Sequence, residues 1–228
     1  SFNEPPLFVR VLFSVLSFSF SNNKKVGSSL NQGERLSSSL QSMGTTFIKL
    51  GQFLATRPDI IGDKLSKELE NLQDRLPPFS QDKAKEIIKK DLGEQNFNSI
   101  INLSEPVAAA SIAQVHKAKI NDNGIIKDVA IKILRPNIKK IFNEEIDAMM
   151  LFAFIIESFV KKTKRLKLVE VVFLLKEITN LELDLRFEAS AANEFLENTK
   201  NDVGFNVPKI FWNYTGENVL TLEWIDGI

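Results

Sequence analysis

Apolar positions between residues 33 and 103 fall at helical spacing. Leu36, Leu40, Met43, Phe47, Leu50 and Leu54 follow one another in alternating steps of four and three, so they line one side of a single predicted helix that Pro58 stops. Leu65, Leu69, Leu72 and Leu76 repeat the spacing in a second helix, ended by Pro77 and Pro78. A third is expected from Ser80, its N-cap, through Ala84, Ile87, Ile88 and Leu92 to Gly93, placed as the C′ glycine. At Pro106 the pattern changes to alternation. VAAASIAQVHKAKI, the turn NDNG and DVAIKIL read as antiparallel strands, with Val129, Ile131 and Ile133 alternating against Ala130, Lys132 and Leu134. Pro136 is placed at N1 of a long helix whose apolar run, IFNEEIDAMMLFAFIIESFV, predicts deep burial. The basic joint KKTKRLK at 161 to 167 reads as a solvated turn, and another helix carries LELDLRFEASAANEF. VPKIFWNYT and VLTLEWI, joined by TGEN, read as a second strand pair.

The fold class expected is α+β, with an apolar and polar N-terminal segment (1–32), a helical extension (33–103) and a sheet-containing lobe (104–228). Residues 5 to 20 are the most apolar stretch, but Arg10 interrupts them and they fall short of the roughly 20 residues of a spanning helix. They read either as a helix packed on the body or as one lying on a membrane surface. The first residue is Ser and no basic leader precedes the apolar run, so a cleavable signal is not expected and the chain reads as cut from something longer.

Composition narrows the chemistry. With 43% hydrophobic and 25% charged residues, the 228-residue chain is neither disordered nor fibrous. Lys+Arg 29 against Asp+Glu 29 leave no global field, and nucleic acid is not an expected partner. The chain has no Cys and a single histidine, His116, which excludes disulfide scaffolds, thiol catalysis and Cys- or His-rich metal sites; no metal ligands are assigned. His116 itself reads as an ordinary strand histidine.

Three segments could grip a nucleotide. Val107 is followed by Ala108, Ala109, Ala110, Ser111, Ile112, Ala113, Gln114 and Val115, the kinase phosphate-loop pattern with Ala in each Gly place. Small residues let backbone N–H groups approach phosphate oxygens, although Ala stiffens the loop. The next strand carries Val129-Ala130-Ile131-Lys132, the V-A-I-K of a kinase third strand, in which Ala130 can lie under an adenine while Lys132 on the same face reaches the phosphates. That lysine requires an acidic partner, and Glu182, Asp184 and Glu188 are the candidates, with Asp184 and Glu188 four apart on one helix face. In the last strand the carbonyl of Glu223 and the N–H of Ile225 would meet the adenine edge, with Leu222 as gatekeeper.

With these motifs in order, and with Lys49-Leu50-Gly51-Gln52 inside FIKLGQFLATRPD, the chain from about Gly33 onward resembles the UbiB family of atypical kinase-like proteins. The resemblance implies a kinase-like N-lobe with an inserted helix, binding of ATP with Mg²⁺, and support of ubiquinone biosynthesis. It pairs Lys132 with Glu188, assigns Glu182 and Asp184 to an E-x-D element, and lays the K-x-G-Q helix, with Lys49, Gly51 and Gln52, over the nucleotide pocket. Helical geometry puts Lys49 and Gln52 opposite the leucine stripe, and Gly44 and Gly51 on a further face open to close approach. The resemblance also implies quinone-pathway lipids and enzymes as partners and a peripheral place on the cytoplasmic face of the inner membrane, or a cytoplasmic one, or a mitochondrial one in a eukaryote. The catalytic-loop Asp and metal-holding residues of a kinase follow the hinge, where this chain stops, so the C-lobe is expected to be missing and the chain alone inactive. The alternatives are a non-catalytic scaffold for lipids or partners and the product of a truncated or decayed gene.

Overall fold

The structure is a computed structural model that describes residues 32–70, 72, 76–122, 124–204 and 206–226. The predicted apolar helix at residues 5 to 20 lies outside them. The chain divides into two units, one comprising residues up to 74 together with 140–176, the other residues 75–139 together with those from 177 onward.

In the first unit, helices α1 (Gln32–Met43), α2 (Thr45–Ala55), α3 (Pro58–Ile61) and α4 (Asp63–Glu70) pack on one another. Leu36, Leu40, Ile48, Leu50, Leu54, Leu69 and Leu72 form their buried side. The single helix expected over Leu36 to Leu54 is two. Gly44 has φ of 108°, which a helix cannot contain, and the chain restarts with Ile48 N–H donating to Gly44 O at 3.0 Å. The break rotates the stripe, so that Ile48 is buried in place of Phe47. The second predicted helix is shorter than expected: α4 ends at Glu70, and Leu76 lies outside any helix.

The second unit is built on a five-stranded antiparallel sheet of β1 (Ile100–Ile101), β2 (Pro106–Ala109), β3 (Ala113–Asp122), β4 (Ile125–Leu134) and β5 (Val219–Glu223). The order is β1-β3-β4-β5, and β2 also pairs with β3. β1 escaped the sequence reading because two residues are too short for a periodic signal. α5 (Gln81–Asn98) contributes Ala84 and Ile88 to the core formed with Ala118, Ile120, Val129, Ile131, Ile133, Phe211, Tyr214 and Val219. Gly93 has φ of 79° and kinks α5 rather than ending it. Ser80 occupies the N-cap position, but its hydroxyl makes no capping bond.

α6 (Ile138–Phe159) runs from the second unit into the first. Two expectations fail on it. Asn137, at φ of 58°, turns the chain just before the first helical residue, so Pro136 lies outside the helix rather than at N1. Deep burial fails too. Ile138, Phe142, Ile146 and Ala153 are buried, while Leu151, Phe152, Phe154, Ile155 and Phe159 are exposed, because a helix apolar on every side has covered only a narrow stripe.

A 3₁₀ segment over Lys161–Leu166 leads to α7 (Leu168–Glu182) and α8 (Leu185–Thr199). These were expected as one helix, and they separate because Asp184 adopts extended backbone and caps α8, its carboxylate accepting from Arg186 N–H at 3.1 Å. The second strand pair is reduced to one strand. Ile210 bridges Leu222, then Trp212–Tyr214 turns as 3₁₀ and delivers Tyr214 to the core, its hydroxyl donating to Asn121 O at 3.1 Å.

Gly51 sits where Leu40 and Leu72 close over α2. A Cβ there would lie 2.9 Å from Leu40 Cδ1 and 3.2 Å from Leu72 Cδ1. Gly51→Ala is therefore expected to lower the urea midpoint, by an amount equivalent to about 1 kcal/mol of unfolding free energy, overpacking outweighing the propensity gain of roughly 1 kcal/mol an exposed helix would show. An unchanged or raised midpoint would mean that Leu40 has room to move.

Candidate functional site

The sheet of the second unit has two unlike faces. Residues directly paired across antiparallel strands share a face, and β3 pairs Val115 with Lys132 and Lys117 with Ala130, while β5 pairs Leu220 with Lys132 and Leu222 with Ala130. The opposite face carries Val129, Ile131, Ile133, Val219, Ala118 and Ile120, all essentially inaccessible. Lys132 therefore lies on the open face because its strand neighbours Ile131 and Ile133 fill the core. Ala130 stands two residues away, half-buried, with Leu222 beside it.

Lys132 Nζ donates to both oxygens of Glu188, at 2.8 and 2.7 Å. The two residues are 56 apart in sequence, and the lysine side chain is 25% exposed against 47% for the glutamate. α8 presents Glu188 by burying Leu185 and Ala189, and Leu185 N–H donates to Glu217 O at 3.0 Å. Glu217 in turn pairs with Lys139. An ion pair this open to water contributes little to stability, about 0–1 kcal/mol, so the fold does not require it.

The other carboxylates are placed differently. Asp184 receives Arg186 through Nε at 2.9 Å and Nη2 at 2.6 Å as well as through its backbone N–H. The Arg186 fork holds the Asp184 carboxyl below the usual carboxylate range, helped by that N–H and by the charge of Lys139. Glu182 closes α7, so the three carboxylates do not share one helix. Among the described residues, no group of three His, Asp or Glu side chains is placed to hold a metal ion.

The alanine-rich segment is mostly strand. Val107, Ala108 and Ala109 belong to β2, and Ala113, Gln114 and Val115 to β3, leaving Ala110, Ser111 and Ile112 as the turn. Val107 and Ala108 are exposed, Ala109, Ala110 and Val115 half-buried, and Ser111 to Gln114 buried. Gln114 is occupied as a scaffold: its Oε1 accepts Phe79 N–H at 2.9 Å, and its Nε2 donates to Phe79 O at 3.2 Å and meets His116 Nε2 at 2.8 Å. His116 Nδ1 faces the carbonyl of Ser104 at 2.7 Å, so Nδ1 carries the hydrogen and Nε2 accepts from Gln114. The expectation of an ordinary strand histidine fits this arrangement.

Glu223 ends β5, its N–H donating to Lys209 O at 2.8 Å, and Trp224 N–H donates to Asp128 O at 3.1 Å as the chain leaves the sheet towards Ile225. Lys49, Gly51 and Gln52 belong to α2 in the first unit; Lys49 and Gln52 are half-buried and Gly51 is buried. Gly44, expected on a face with Gly51, is the helix break instead.

Arg135 was missed by the sequence reading. It follows Leu134 at the end of β4, and its guanidinium donates to the carbonyls of Ala110, Leu76 and Pro77. Carbonyl partners carry no residue signature; only a cation directly after an apolar strand could have flagged it.

A lysine held by a helix glutamate beside a small-residue turn is the arrangement of a kinase N-lobe. The profile of the ABC1 atypical kinase-like domain matches residues 71–228. The chain belongs to this family. A Marinobacter nauticus protein named "Probable protein kinase UbiB" is 40% identical over 200 residues, covering 87% of this chain and 36% of that protein. Proteins of the same name from Cellvibrio japonicus and Azotobacter vinelandii are 36% and 33% identical, the latter over the whole of this chain and 42% of its own length. The chain thus spans 36–42% of the length of these ABC1-family relatives.

Because Asp184 is held ionised in the fold, its contribution is complete above the ordinary carboxylate range, about pH 4, and is lost as pH falls through its lowered value. Asp184→Asn keeps a capping side chain but not the charge. Its urea midpoint is expected to lie below wild type above about pH 5, with the gap closing below about pH 4; a gap independent of pH would show that the charge plays no part.

Proposed function

We propose that this chain forms the nucleotide-gripping part of an ATP-dependent atypical kinase or ATPase of the UbiB type, acting in support of ubiquinone biosynthesis. The observation that carries the reading is the two-oxygen pairing of Lys132 with Glu188 on the open face of the sheet. A triphosphate fits this donor set, with one oriented ammonium beside a turn of small residues. Mg²⁺, when bound with ATP, neutralises phosphate charge; in this chain Lys132 binds the phosphates, Glu188 aims it, Ala130 and Leu222 make room for the base, and the backbone after Glu223 meets the base edge.

In the full-length protein, Lys132→Ala should weaken Mg-ATP binding by about tenfold or more in calorimetric titration, the loss of a charge-assisted contact. Retained affinity would sink the assignment.

A second reading, binding to a membrane surface, is favoured by one observation in the first unit. Leu151, Phe152, Phe154, Ile155 and Phe159 stand exposed on α6, and the basic stretch Lys161 to Lys167 follows directly. No helix among the described residues is long and apolar enough to cross a membrane. Replacing Phe154 and Phe159 together by Asp should lower the partition coefficient onto vesicles containing phosphatidylglycerol, read by co-sedimentation, by about a hundredfold or more, since each aromatic ring buried in the interface contributes roughly 1.5–3 kcal/mol. Equal partitioning of variant and wild type would count against this face.

A further inference from the structure

We infer that Arg135 is a positioning residue for the phosphate-binding turn: it fixes the peptide between Ala110 and Ser111 and ties that turn to the Leu76–Phe79 connector, so that phosphate affinity depends on a side chain that does not touch the nucleotide. The inference rests on the nucleotide reading above.

The geometry is specific. Arg135 Nε and Nη2 donate to Ala110 O at 3.0 and 2.8 Å, a two-pronged grip on one carbonyl. Nη2 also reaches Leu76 O at 3.3 Å, and Nη1 reaches Pro77 O at 3.0 Å. The backbone joins in, with Arg135 N–H donating to Ile112 O at 2.8 Å and Ala110 N–H closing the turn onto Ala113 O at 2.8 Å. The guanidinium carbon lies 5.9 Å from the centre of the Phe79 ring. Phe79 is the residue whose N–H and carbonyl are both taken by Gln114 from the other side of the turn.

These bonds have a directional consequence. In a trans peptide the carbonyl of one residue and the N–H of the next point in opposite directions. Holding Ala110 O on the guanidinium therefore turns Ser111 N–H away from it, and the turn cannot flip that peptide without breaking two charge-assisted bonds. Alanine at 108 to 110 already limits the turn, since it resists the positive φ that glycine would allow. Arg135 lies three residues beyond Lys132 on the same strand and its continuation, so the turn and the phosphate-binding ammonium are referred to one rigid element. A lysine in its place has a single nitrogen and cannot hold Ala110 O from two donors while reaching Pro77 O and Leu76 O.

The test uses the full-length protein and two ligands, Mg-ATP and adenosine, which lacks the phosphates. Arg135→Met should weaken Mg-ATP by about tenfold or more while adenosine changes by less than about twofold, and Arg135→Lys should fall between Met and wild type. Hydrogen exchange should rise at residues 108 to 114 in both variants, with α8 unchanged; if the Met variant fails to fold, the Lys variant is read by the same criteria. Unchanged Mg-ATP affinity, or equal losses for Mg-ATP and adenosine, would overturn the proposal while leaving the Lys132 assignment standing. A wild-type protein that takes up neither ligand would overturn the nucleotide reading and this proposal with it.

Discussion

The pairing register of β3 against β4 is the constraint on which the second unit depends. Val129, Ile131 and Ile133 face inward in the register that opposes His116 to Ile131 and Val115 to Lys132. A slip of one residue would carry Lys132 into the core and put three β-branched side chains on the open face. Burying an unpaired ammonium costs several kcal/mol and exposing the three apolar side chains forfeits roughly 1.5–3 kcal/mol each, so the core holds the lysine on the open face. The turn reinforces the register, with Gly124 at φ of 87° and its N–H donating to Asn121 Oδ1 at 2.7 Å.

The buried face is not wholly apolar, and its polar groups explain how irregular segments are held. Gln114, His116 and Thr221 are inaccessible, yet each has partners: Gln114 holds Phe79, His116 holds Ser104, and Thr221 Oγ1 donates to Tyr214 O at 2.6 Å. Removing one partner would strand another inside, which costs more than the bond itself is worth. The sheet thus dictates where the connector before α5, the link between β1 and β2, and the 3₁₀ turn must lie. Asn218 does similar service just before β5, its carbonyl accepting Leu134 N–H at 2.9 Å while its own N–H donates to Asp91 of α5 at 2.8 Å.

Long periodic elements were legible in the sequence, and the breaks within them were not. Gly44 sits between Leu40 and Phe47 in an unbroken count of threes and fours, and spacing alone carries no information about φ. Asp184 looks like one more surface carboxylate until its short side chain is seen accepting the N–H that starts a new helix. α6 misled in the opposite way, because an apolar run shows how much could be buried and not how much the neighbouring elements cover. In the candidate site, Ala130 and Lys132 could be placed by alternation, whereas the choice of Glu188 came from the family resemblance. No local pattern links residues 56 apart.

That choice has a physical basis once the helices are known. Asp184 is saturated by Arg186 and by its capping role. Glu182 is the last residue of α7 and so sits on a different helix from Glu188. Glu188 stands near the start of α8, at the positive end of the dipole, with Leu185 and Ala189 fixing the helix against the second unit's core. Its place is therefore set by its own helix and not by Lys132. An ammonium has three donors, and Glu188 takes two of them. The remaining N–H is oriented by the same two bonds, so the pairing that aims the lysine still leaves it a donor to offer.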